Sequence, residues 1–293
     1  VAMQAFEGKV AVITGAASGI GRNLAEKCIA EGMHVVMTDI EEPVLKAVAA
    51  ELQATTNNKI LPITADVAIE AELQNVLNEA VSNLGGVHLL CNNAGVGGRG
   101  NAWTATGKDW EWVLGVNLMS VIVGLRLFVP QMIIQDEPCH IVNTASVAGL
   151  MGAAGDALYS VTKHGVVALT ENLFRDLRSE GTQIGCSVLC PGFVNTNIID
   201  SARNRPRHLQ DDTQDEIPSG EVEEQLAMFR EVLKQGMQPS EIANAVFEGI
   251  RKDQLYILPH SGFAERIEQR ARNITHGINP EVLDVVTLLQ PND

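Results

Sequence analysis

Short apolar runs alternate along most of the chain with longer segments whose apolar residues recur at helical spacing, and this alternation predicts a repeating strand–helix order. The first run, Lys9–Thr14, is apolar at successive positions, as in a strand buried on both faces of a parallel sheet. A helix over Arg22–Glu31, closed by Gly32, a strand over Met33–Thr38 and a helix over Val44–Ala54 come next. A polar turn leads to a third strand, Ile60–Thr64, and a helix over Ala68–Leu84. Val87–Cys91 reads as a strand, Asp109–Gln131 as a long apolar helix and His140–Ala145 as a fifth strand. A helix over Ala157–Ser179, a strand over Gln183–Leu189, helices over Glu221–Gln235 and Glu241–Lys252 and a seventh strand at Gln254–Leu258 complete the pattern. The predicted fold class is α/β: a doubly wound, seven-stranded parallel sheet with helices on both faces, in one domain over residues 1–293.

Open sheets of this kind bind ligands at the carboxyl ends of their strands, and the polar residues concentrate there. Gly15-Ala-Ala-Ser18-Gly19-Ile20-Gly21 links the first strand to its helix. Such a turn lets backbone approach a pyrophosphate, whose charge the helix N-terminus favours. Its spacing is neither the standard dinucleotide fingerprint nor a Gly-Lys-Ser/Thr phosphate loop. Asp39, after the second strand, is placed to accept from adenosine ribose hydroxyls and to repel a 2′-phosphate. Ala16, Ala17 and Ile40 offer no cation to neutralise that phosphate, so NAD is expected over NADP. A helix cap before Glu41-Glu42-Pro43 is the structural alternative for Asp39.

Ser146 follows the fifth strand, and Tyr159 and Lys163 lie one turn apart on the next helix. A phenol with an ordinary pKa near 10 becomes a base only if a positive charge favours its phenolate. Lys163 can supply that charge. A solvated helix face is the alternative reading.

Taken together, Thr14 to Gly21, Asp66-Val67, Asn92-Asn93-Ala94-Gly95, Asn117, Ser146, Tyr159-x-x-x-Lys163 and Pro191-Gly192 resemble the short-chain dehydrogenase/reductase family in order and spacing, over about residues 6–260. The resemblance implies a single Rossmann-type domain containing the active site. It implies catalytic roles for Asn117, Ser146, Tyr159 and Lys163. Ser146 would orient the substrate oxygen, Tyr159 take the proton, Lys163 hold the ribose and bias Tyr159, and Asn117 help hold a relay water. It places Gly15, Ser18, Gly19, Ile20, Gly21, Asp39, Asp66, Val67, Asn93, Ala94, Gly95, Pro191, Gly192, Val194 and Thr196 along the NAD cofactor, with Tyr159 and Lys163 at its ribose and nicotinamide end. Asp66 could instead cap the helix that follows it. Oligomers are common in the family, so a homodimer or homotetramer is expected.

Composition narrows the remaining choices. A formal net charge of −15 argues against nucleic acid or an anionic membrane as partner. The five cysteines, mostly in apolar runs, read as small core residues in a reduced compartment, and no metal site is read. Without a secretion signal or membrane span, the cytoplasm is expected. Residues 201–219 hold Arg203, Arg205 and Arg207, then Asp211, Asp212, Asp215 and Glu216, with few apolar residues, and predict a mobile lid within 197–238. Val222, Leu226, Phe229 and Leu233 form an apolar stripe behind it, and residues 259–293 form an extension with an apolar tail at Val282–Leu289. Val147, Leu150, Met151, Phe193 and Ile198 are the expected pocket walls, suiting an apolar or aryl-bearing secondary alcohol or ketone as small-molecule substrate. A non-catalytic NAD-binding sensor of the same fold is the alternative, though it has no need of Ser146, Tyr159 and Lys163 together.

Overall fold

The structure, a computed structural model, describes residues 3–98, 100–210 and 220–282. Strands β1 (Val10–Thr14), β2 (His34–Asp39), β3 (Ile60–Thr64), β4 (Leu89–Asn92), β5 (Cys139–Thr144), β6 (Ile184–Leu189) and β7 (Tyr256–Ile257) form one sheet in the order β3-β2-β1-β4-β5-β6-β7. All six pairings are parallel. Each therefore needs a crossover, and helices supply them. They are α1 (Gly19–Ala30), α2 (Glu42–Gln53), α3 (Glu70–Leu84), α4 (Gly107–Leu114), α5 (Ser120–Gln135), α6 (Ala157–Ser179), α7 (Gly220–Gln235) and α8 (Pro239–Arg251), and α9 (Ala264–His276) follows the last strand.

Alternation along the strands divides the core in two. Ala11, Ile13, Val35, Met37 and Leu89 pack on one face with Leu24 of α1, Leu45 of α2 and Phe247 of α8. Val12, Val36, Leu90 and Ile141 point the other way, onto Val76 of α3, Phe128 of α5 and Leu177 of α6. Burying each such large side chain contributes about 1.5–3 kcal/mol. The five cysteines are buried free thiols within this packing. Pro62 sits in β3, which pairs only with β2 among the described strands, so its missing N–H falls on the sheet's edge.

The predicted elements are present, with two differences. The long helix is α4 and α5 joined by a π-helical turn over Gly115–Met119. The extra residue of that turn carries Asn117 inward, a shift that apolar spacing does not reveal. The whole run Gly107–Gln135 is long and apolar enough to cross a membrane, yet half of its most apolar window is buried inside this fold. The last strand is only Tyr256–Ile257, shorter than the apolar stretch around it.

A buried polar chain ties α6 to the sheet. Asn92 Nδ2 donates to Asn143 Oδ1 at 2.8 Å, Asn143 Nδ2 to Thr170 Oγ1 at 3.0 Å, and Thr170 Oγ1 to the Val166 carbonyl at 2.7 Å. Asn143→Ala leaves Asn92 and Thr170 each short of a partner in a dry interior. Urea unfolding should show a loss of about 2–4 kcal/mol, given roughly 1–3 kcal/mol for each unsatisfied buried group. An unchanged midpoint would mean that this chain contributes nothing net.

Candidate active site

The strand order reverses between β1 and β4, and the crevice beyond that point is lined by the loops that leave their carboxyl ends. Thr14 closes its floor. Its Oγ1 accepts from the Asn93 and Ala94 N–H groups at 2.9 and 3.0 Å, and Asn93 Nδ2 donates to the Thr14 carbonyl. The two segments lie so close that a β-carbon on Gly15 would come within 2.9 Å of Ala94 Cα, and Gly15 has φ +66°. Gly19 faces Thr196 across the crevice, where a β-carbon would stand 3.0 Å from its methyl. A floor of backbone, bare of side chains and opening on the N-terminus of α1, fits a pyrophosphate.

At one end of this floor the Asp39 carboxylate accepts from Ala17 N–H and Glu41 N–H, both at 3.0 Å. It therefore braces the glycine turn, and it does not cap α2, whose N-cap is Glu41. The remaining lone pairs of Asp39 face the cavity and could accept from ribose hydroxyls. Asp66 accepts from Ala68 N–H at 2.9 Å, while Glu72 reaches back to the Asp66 N–H at 2.6 Å. That turn precedes α3, which starts at Glu70, so Asp66 is not its cap either.

At the other end Ser146, Tyr159 and Lys163 line the same cavity, a space of about 1900 Å³. Ser146 Oγ accepts from Ala148 N–H at 3.1 Å and donates to the Pro191 carbonyl at 3.4 Å. Lys163 is 2 % exposed and donates to the Thr144 carbonyl at 2.9 Å, with Nζ 5.4 Å from the Tyr159 ring centroid. Burial lowers its ammonium to a pKa of about 8. Burial, with the Asp156 carboxylate, holds the Tyr159 phenol well above its ordinary value, and a hydrogen bond with Ser146 pulls the other way. The expected bias toward phenolate thus meets a stronger opposing effect. Desolvation penalises charge in this pocket and so favours the neutral phenol.

Asn117 does not line the cavity. Its carboxamide accepts from Val96 N–H at 2.8 Å and donates to the Val96 carbonyl at 2.9 Å. Its side chain fixes the strand-end loop over Gly95 and Val96 and so positions the wall beside Lys163. Gly21 is also away from the cavity. It lets α1 meet the turn, where a β-carbon would sit 2.0 Å from the Gly15 carbonyl oxygen. Leu150 packs with Val121, Val166 and Val188 in the core, not in the pocket. Gly15, Ser18, Gly19, Ile20, Asp39, Asp66, Val67, Asn93, Ala94, Gly95, Pro191, Gly192, Val194 and Thr196 all line the cavity, as do Val147, Met151, Phe193 and Ile198.

The first half of the segment expected to form a lid makes specific contacts. Residues 198–210 form two short 3-10 turns that strap across the cavity. Gly97 N–H donates to Ser201 Oγ at 2.9 Å, and Arg203 and Asn204 both reach Glu41 Oε1, at 2.5 and 2.8 Å. Burial disfavours the Glu41 charge, but these two donors outweigh it and hold its pKa below the ordinary range. Arg205, 8 % exposed, pairs with Asp109 at 2.6 Å and lies over the Trp112 ring. Such pairings are not visible in composition. Its second half, 211–219, lies outside the described residues, as do the Val222 side chain and the tail beyond Val282. Leu226 and Phe229 face the cavity, and Leu233 is buried.

A switch-point crevice with a glycine floor and an acid at its end defines a dinucleotide-binding protein of the doubly wound class. Comparison with known proteins carries this further. Residues 9–207 match the family model described as short chain dehydrogenase. A CLA biosynthesis dehydrogenase/reductase of Lactiplantibacillus plantarum is 34% identical over 280 residues, 96% of this chain and 98% of that one. The human 15-hydroxyprostaglandin dehydrogenase [NAD(+)] is 38% identical over 199 residues, covering 66% of this chain and 71% of its own length. A short-chain dehydrogenase/reductase from Burkholderia phymatum, solved in complex with NAD, superposes with a TM-score of 0.91 at 40% identity, over 95% of this chain and 98% of that one. The chain belongs to the short-chain dehydrogenase/reductase family. It is an NAD-dependent dehydrogenase.

Several supporting residues carry no motif. Glu41, Asp109, Arg205 and His260 all act through partners far away in sequence, and only the position of His260 just beyond the last strand hints at a place near the site. For Asp39, the expected result of Asp39→Ala is NADH affinity lower by about 1–3 kcal/mol, the scale of charge-assisted hydrogen bonds, and a narrower preference for NAD over NADP. Comparing kcat/KM for both cofactors checks it, and an unchanged ratio would remove Asp39 from cofactor selection.

Proposed function

We propose that this dehydrogenase transfers hydride between NAD and a neutral, apolar or aryl-bearing secondary alcohol or its ketone. The observation that carries the reading is the convergence of Ser146, Tyr159 and Lys163 on one cavity with the glycine-floored crevice. NAD, when bound, supplies the hydride acceptor and a positive charge on its ring. Ser146 orients the substrate oxygen, with its hydroxyl steadied by the Pro191 carbonyl. Tyr159 accepts the hydroxyl proton as the carbonyl forms and returns it in the reverse direction. Lys163 binds the ribose hydroxyls and contributes charge beside the phenol. Asp39 sets the cofactor, and Val194 and Thr196 stand at the nicotinamide end. A sensor that only binds NAD would make no use of the phenol–hydroxyl pair.

The walls support the substrate class. Val113, Leu158, Met151, Phe193, Ile198 and Phe229 supply apolar surface, and the Phe193 and Phe229 rings meet edge-on at 5.9 Å. The guanidinium groups there carry acidic partners: Arg203 with Glu41, Arg205 with Asp109 and Arg230 with Asp200. A substrate carboxylate would have to compete for them and would lose its hydration on entry. Residues 197–209 and the cavity-facing side chains Leu226 and Phe229 of α7 border this end of the cavity. Met119, Ile133, Ile134 and Val161 leave apolar surface exposed on the π turn, α5 and α6, which supports a homo-oligomer.

Tyr159→Phe should lower kcat by about 10²–10⁴, the range for a lost general acid–base group, while NADH affinity stays within a few-fold. Lys163→Ala should weaken NADH binding as well. A tenth of the activity surviving in Tyr159→Phe would sink the proton-transfer role. In a panel followed by NADH absorbance, neutral aryl and alkyl secondary alcohols should exceed their carboxylate-bearing counterparts in kcat/KM. The opposite order would show that an acid-recognising group has been overlooked.

A further inference from the structure

The segment that follows β6 runs Pro191-Gly192-Phe193-Val194-Asn195-Thr196 along the cavity, and something must hold it from behind. His260 does so with both ring nitrogens. Nδ1 accepts from the Gly192 N–H at 3.0 Å, and Nε2 donates to the Phe193 carbonyl, also at 3.0 Å. The partners fix the tautomer, because a carbonyl can only accept and an N–H can only donate. Phe263 closes the contact. Its ring stands edge-on to His260 at 6.2 Å, and a β-carbon on Gly192 would lie 2.5 Å from Phe263 Cε2. The Phe193 carbonyl also accepts from Met237 N–H at 3.0 Å, so the rear of the segment is pinned by two separate elements.

The front of the same segment touches the chemistry. The Pro191 carbonyl accepts from Val147 N–H at 3.0 Å and from Ser146 Oγ at 3.4 Å. An unbroken line of contacts thus runs from the head of the C-terminal extension through Gly192 and Pro191 to the Ser146 hydroxyl. His260 lies beyond residue 207, where the family match ends.

We infer that His260 is a positioning residue, the brace through which the head of the C-terminal extension sets the nicotinamide-end segment 191–194 and the Ser146 hydroxyl. The inference rests on the reading that this segment lines the cofactor's reactive end. It requires the neutral ring, because a proton on Nδ1 removes the acceptor that Gly192 uses. Burial lowers the pKa of the imidazole, against the pull of the Phe193 carbonyl and the Glu241 carboxylate of α8, so the brace holds at neutral pH and fails only on the acid side of the ordinary histidine range.

The test uses NADH fluorescence titration and steady-state kinetics on the full chain. His260→Phe keeps a ring against Phe263 but loses both bonds, and should weaken NADH about tenfold, the factor equivalent to about 1.4 kcal/mol, and lower kcat. His260→Asn keeps an acceptor where Nδ1 stands and should bind NADH within about twofold of wild type. Between pH 8 and 5 wild-type affinity should fall on the acid side, and the fall should be absent in His260→Asn. If His260→Phe does not fold, that pH comparison alone decides. Equal acid-side loss in wild type and His260→Asn overturns the inference, as does unchanged NADH affinity in a folded His260→Phe. Wild type failing to bind NADH would overturn the crevice reading itself, whereas normal NADH binding that is insensitive to His260 overturns only the brace.

Discussion

The rest of the site depends on how closely β1 and β4 approach at their carboxyl ends. Parallel strands leave their last N–H and carbonyl groups pointing into the crevice, where each needs a partner or a ligand. Thr14 resolves this at one point: its hydroxyl accepts from two successive N–H groups after β4, and its carbonyl is taken by Asn93. Asn93 is in turn reached by Thr144 from the end of β5 at 3.3 Å. Three strand ends are thereby stitched together with little side chain between them. Only glycine at position 15 permits that spacing, since any β-carbon would enter the Ala94 backbone. A cofactor can then lie on main chain, and the reacting groups just after β5 and on α6 inherit their places from the same seam.

The same compactness creates the electrostatic problem of the site. Lys163 is buried and Tyr159 half-buried in the cavity wall, and desolvation moves both toward their neutral forms, the phenol upward and the ammonium downward. In such a pocket a neighbouring charge has more leverage than in open water. Desolvation thus favours the neutral phenol, and a positive charge placed beside it acts in the opposite direction. A solvent-exposed Tyr-x-x-x-Lys pair would lack this property.

Much of this was legible in the sequence. Strand burial is written as contiguous apolar runs, and the glycines, Asp39, Ser146, Tyr159 and Lys163 sit at the turns those runs define. What sequence could not show was contact between distant segments. Asn117 reads as a polar residue in an apolar helix, but the π turn that aims it at Val96 leaves no trace in periodicity. Leu150 is apolar and close to Ser146 in sequence, yet the 3-10 turn after Ser146 directs it into the core. Arg203 and Arg205 read only as part of a charge-rich segment, because their partners Glu41 and Asp109 lie more than ninety residues away.

Those last pairings matter for geometry more than for stability. An ion pair as exposed as Arg203 with Glu41 contributes at most about 1 kcal/mol, so it does not hold the fold together. It does, however, join the strap to the loop just after Asp39, at the opposite end of the cavity from Ser146. Asn204 adds a second donor to the same carboxylate oxygen, and Arg205 anchors the next residues to α4 through Asp109 and Trp112. The strap is thus referenced to both ends of the crevice at once. The strap and the loop that presents Asp39 therefore share their anchoring carboxylate, so the geometry of the substrate side is tied to that of the adenosine side.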